Sequence, residues 1–112
     1  MRRLALLTLF FALAAPAQAA APSRLLVEAT EFRFTLSRTT LKPGPAIVQL
    51  AIRGEDPHDL RLVRVGSPRA RVSAVAETLP GAVGEWRGTL TRGRWELYCC
   101  FPGIARPACG PC

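Results

Sequence analysis

From Leu25 onward, apolar and polar residues alternate with a period of two in short runs, and most runs stop at glycine or proline. "LLVEATEFRFTLS" reads as one extended run that sets Phe32, Phe34 and Leu36 against Glu31, Arg33 and Thr35, and "LKPGP" then turns the chain. "AIVQLAIRG" sets Val48, Leu50 and Ile52 against Gln49 and Arg53, and "HDLRLVRVG" sets Leu60 and Leu62 opposite Arg61. After the turn-rich "GSPRA" come "RVSAVAETL", "EWRGTL" and "RWELYCC", with further turn signals at "LPGAVG" and "TRGR". The last run places Trp95, Leu97 and Cys99 on one face and Arg94, Glu96 and Tyr98 on the other. No stretch carries a helical period. Six or seven short strands joined by Gly/Pro turns predict an all-β fold, an antiparallel Greek-key β-sandwich.

The first nineteen residues, "MRRLALLTLFFALAAPAQA", break this pattern. Two arginines precede an apolar run from Leu4 to Ala15, and Ala17-Gln18-Ala19 is the small-x-small pattern of a signal-peptidase site. The run is shorter than the roughly 20 residues that span a bilayer, so residues 1–19 are expected to be a secretory signal cleaved after Ala19. A secreted or periplasmic product with no transmembrane segment after cleavage is the expectation. Residues 20–99 then form one small domain, and residues 100–112 a Cys-rich tail with no counterpart in the alternating pattern. A chain of this size buries only about 60–65% of its unfolded surface, which leaves no room for a second core.

Charge narrows the function classes. The whole chain carries +7, and losing Arg2 and Arg3 leaves 7 − 2 = +5. The remaining basic residues are scattered, which argues against nucleic acid as a partner and fits a solvated surface that favours an acidic protein. Glu55 and Asp56 have no carboxylate counterpart at a defined spacing, no serine lies in a nucleophile elbow, and no glycine run forms a phosphate cradle. An enzyme is not expected.

Two residues carry candidate chemistry. His58, in "GEDPHDL", is the only histidine of the chain, held by Pro57 at the start of a strand. Cys99 ends the strand-like run "RWELYC", where its thiol is expected to point inward at the same end of the sandwich. An imidazole and a thiolate together make half of a trigonal His₂Cys copper site. The other cysteines, Cys100, Cys109 and Cys112, admit two bland readings in an exported protein, as disulfide staples or as adventitious crosslinks of a tail. Cys109-Gly110-Pro111-Cys112 matches a redox dithiol motif, but that motif depends on a following helix N-terminus in a βαβ setting, which this sequence does not offer.

The stretch "EFRFTLSRTTLKPG … GEDPHDL … TLPGAVGEWRGTLTRGRWELYC" resembles the small exported cupredoxins of the plastocyanin and azurin type, from Val27 to Cys99. The resemblance implies a blue type-1 copper protein engaged in electron transfer, with His58 and Cys99 as ligands and a redox partner protein. The family's C-x-x-P-G-H-x-x-x-G-M ending would supply a second histidine and an axial methionine before a final strand. This chain has Ile104 at the place of that histidine and Cys109 at the place of that methionine, and it lacks the final strand. It also has Asp59 where the family often has asparagine. Cys109 is thereby a third candidate metal ligand. The departures share one explanation, a shifted reading frame. Written in GC-rich codons, "YCCFPGIARPACGPC" becomes YCSLPGHRAAGMRAV when one base is added in the codon of Cys100, with histidine at position 104 and methionine at position 109. Divergence with loss of the site is the competing explanation. Two other functions stay open beside copper binding: a metal-free structural or interaction β-sandwich, and a thiol-based redox or metal-handling protein that uses the CGPC tail.

Overall fold

The computed structural model describes residues 14–31, 33–67 and 72–100. Among them it contains seven strands and no helix: β1 (Ser23–Thr30), β2 (Arg33–Leu36), β3 (Gly44–Ile52), β4 (His58–Arg64), β5 (Ser73–Thr78), β6 (Val83–Leu90) and β7 (Trp95–Tyr98). They form a four-stranded sheet of order β2-β1-β3-β6 and a three-stranded sheet of order β5-β4-β7. The alternating residues of both sheets meet in one core of Leu25, Val27, Val48, Leu50, Leu60 and Leu62 with their neighbours, so the expected β-sandwich architecture is present. Phe34, Leu36, Trp86, Trp95 and Leu97 pack on its margins.

Two expectations need correction. "LLVEATEFRFTLS" is not one strand, because β1 and β2 fold back on each other as an antiparallel hairpin that pairs Thr30 with Arg33. The buried positions change parity across the turn, from odd numbers (Leu25, Val27, Ala29) to even ones (Phe34, Leu36), and a single strand could not keep both sets on one face. Phe32 lies outside the described residues. Nor is the fold purely antiparallel. The chain leaves β2 at the sheet edge and re-enters on the far side of β1, so β3 runs parallel to β1, with Ser23 to Ala29 in register with Ala46 to Ile52. The larger sheet is therefore mixed.

The smaller sheet positions the chemistry. β4 pairs with β7 in an antiparallel register that sets Arg61 opposite Tyr98 and Leu62 opposite Leu97. On its other side β4 pairs with β5, and the register slips between His58↔Thr78 and Leu60↔Val75, so Ala76 and Glu77 together stand opposite Asp59. This bulge lies beside His58, where a local change of twist re-aims the end of β4. Where the sheets come together, Gly84 of β6 lies so close under β5 that a methyl group there would overlap Thr78 Oγ1 and Val75 Cγ1. Most of the proposed secretory segment and the tail from Phe101 to Cys112 lie outside the described residues. Among those described, no helix is long and apolar enough to cross a membrane.

Candidate metal centre

The loop before β4 is fixed from below by the β1–β2 turn. Arg53 and Gly54 donate their backbone N–H groups to Ala29 O at 2.8 and 3.3 Å. The Glu31 carboxylate accepts the Glu55 N–H. Backbone donors of the loop, Glu55 first and Asp56 later, hold the Glu31 carboxyl below its ordinary value of 4.5, with the positive field at His58 adding to the effect. A side chain on Gly54 would collide with this carboxylate. Pro57 then leads directly into His58.

His58 and Cys99 share the inward parity of Leu60 and Leu97, on neighbouring strands, and both are enclosed, with 2% and 3% of their surface exposed. Cys99 Sγ lies 3.9 Å from His58 Nδ1. With metal–nitrogen and metal–sulfur bonds of about 2.0–2.1 and 2.3 Å, two ligands at 120° to one another stand about 3.8 Å apart, so the pair already has the spacing of two ligands in one trigonal plane. His58 Nε2 has no hydrogen-bond partner among the described residues, although it is buried. Among the described residues the recorded polar contact of the ring is that of Nδ1 with the sulfur.

Asp59, the next residue, sets its carboxylate beside the Cys99 side chain and joins this pair to the surrounding backbone. Its Oδ1 accepts the Cys100 N–H at 2.7 Å, and its Oδ2 accepts Arg61 Nε at 3.1 Å. Burial pushes the Asp59 carboxyl up, but the Cys100 N–H, the Cys99 side chain and the Arg61 guanidinium outweigh it and hold the group below 3.8. The carboxylate thus ties the start of β4 to the chain just past β7. The adjacent Cys100 is disulfide-bonded.

The sequence named His58 and Cys99, and the fold brings them together. Ile104, Cys109 and the CGPC dithiol lie outside the described residues. Among the described residues no three His, Cys, Asp or Glu side chains converge as a metal-binding group, so the donor set there is two atoms. Those two fit a soft or borderline metal in chemistry and spacing, and they do not complete a site. Sequence reading did not assign the positioning carboxylates Glu31 and Asp59. Only Asp59 left a trace, as a departure from asparagine. Compared with known proteins, the chain matches no family model and no curated sequence.

Proposed function

We propose that the protein is an exported, cupredoxin-like copper-binding protein of the electron-transfer type, in which His58 and Cys99 are two ligands of an incomplete type-1 site. The observation that carries this reading is the buried 3.9 Å approach of Cys99 Sγ to His58 Nδ1. A buried ring nitrogen beside a buried sulfur, carried by segments far apart in sequence, is the donor pair that such a site requires. The Greek-key arrangement and the copper site follow from the resemblance, supported by the two-sheet architecture and by that pair. Copper in such a site supplies a one-electron couple, Cu(I)/Cu(II), with the thiolate as its strongest electronic link. The protein's part is to hold the two donors rigidly through the Glu31 and Asp59 anchors, to exclude water from them, and to present the site to a redox partner protein.

The metal-free structural domain is the competing reading, favoured by the absence of a third donor among the described residues. The double variant Ile104→His/Cys109→Met, loaded with Cu(II), separates the two. An intense blue thiolate-to-copper absorption that disappears with Cys99→Ser supports the copper site. A folded double variant that retains no copper would establish the structural reading.

A further inference from the structure

At the other end of the sandwich, the edges of the two sheets stand apart around a cleft of about 590 Å³. Its floor is apolar, made by Leu25 and Leu36 from the larger sheet and by Leu62, Trp95 and Leu97 from the smaller. Its lining carries four cations, Arg38, Lys42, Arg92 and Arg94, and no carboxylate side chain. The wall formed by β7 is a sheet edge, because among the described residues β7 pairs only with β4. Val65 N–H donates to Arg94 O, so in this antiparallel register Glu96 and Tyr98 also turn their peptide groups to β4. The peptide groups of Trp95 and Leu97 then point away from β4, along the strand edge whose Trp95 and Leu97 side chains line the cleft.

We propose that this cleft binds an extended segment of another protein, alternating in hydrophobicity and flanked by carboxylates, which adds to β7 as a further strand. The peptide groups of Trp95 and Leu97 would supply the ladder, the floor would take alternate side chains, and the four cations would select the acidic flanks. A second copy of the chain fits poorly, since edge-to-edge pairing would bring two sets of the same cations together. The chain's own last twelve residues fit poorly as well, because Pro102, Pro107 and Pro111 remove ladder donors and Arg106 is the only charged side chain.

The test is calorimetric titration of the full chain with three nonapeptides: DEVTVTVED, KKVTVTVKK, and the acidic peptide with proline at its centre. The acidic peptide is expected to bind at one to one, at least about tenfold more tightly than the lysine peptide, and more weakly as salt rises. The proline peptide is expected not to bind. Arg92→Glu/Arg94→Glu should weaken the acidic peptide at least about tenfold. These side chains are exposed, and the backbone carbonyl of Arg92 that accepts Arg64 is kept, so the variant should fold as the parent does. The proposal is overturned if the acidic peptide does not bind, if the lysine peptide binds equally well, or if the charge reversal changes nothing. Sedimentation showing a stable dimer that excludes the peptide would also overturn it.

Discussion

Cys99 Sγ and His58 Nδ1 lie 3.9 Å apart in the core although 41 residues separate them in sequence. The relationship is made by strand register. β4 and β7 are antiparallel neighbours, both side chains have the inward parity, and the start of β4 and the chain just past β7 lie at the same end of the sheet. The neighbouring pair with the opposite parity, Asp59 and Cys100, is bonded at 2.7 Å and locks that register where the ladder runs out.

Asp59 should make the protein acid-sensitive. Its folded-state carboxyl titrates below 3.8, so the stability it contributes is fully present above that value and is lost as pH falls through the lower, folded one. Urea unfolding of Asp59→Asn between neutral pH and pH 2 should show a shallower loss at the acid end than the parent. Asp59→Ala, which leaves the Cys100 N–H without its acceptor, should cost about 1–3 kcal/mol at neutral pH. Identical acid profiles for parent and Asp59→Asn would rule out this role.

Gly84 is a packing requirement. A methyl group there meets Thr78 and Val75 of the facing strand, both buried, so the two sheets cannot give without moving β5 and with it the bulge beside His58. Thermal and denaturant unfolding of Gly84→Ala should show a loss of about 1–3 kcal/mol, as for overpacked cores. A variant as stable as the parent would mean that β5 and β6 are more loosely apposed than their contacts indicate.

Much of this organisation was legible from alternation alone. Val48, Leu50 and Ile52, Leu60 and Leu62, and Leu97 and Cys99 all point where a period of two puts them. The β1–β2 turn escaped because "TEF" holds no glycine, proline or asparagine, although the switch of apolar residues from odd to even positions marks it. Parallel pairing of β1 with β3 was not legible, since a half-buried strand has the same pattern beside either kind of neighbour. The site was legible to the extent that its donors are rare residue types, one histidine and one inward cysteine. Its anchors were not, because Glu31 and Asp59 act through hydrogen bonds to the backbone of segments far away in sequence.

The tail can be examined at the level of the gene. If a shifted frame underlies the missing ligands, the DNA past the codon of Cys99 will encode, one base out of register, histidine, methionine and then a short alternating apolar strand. Replacing residues 100–112 with that product should give a blue, more stable copper protein. Absence of such a strand in both alternative frames would establish divergence instead. The chain as it stands should bind Cu(II) without an intense blue band, because Ile104 has no donor atom and one imidazole cannot complete a His₂Cys plane.

X-ray absorption of the full chain loaded with one equivalent of copper tests the central claim most directly. A first shell containing sulfur and one imidazole, in which the imidazole signal is lost in His58→Ala and metal retention falls in Cys99→Ser, is the predicted result. A sulfur-only shell that is unchanged by His58→Ala and survives Cys99→Ser would place the metal on the tail cysteines and contradict the account.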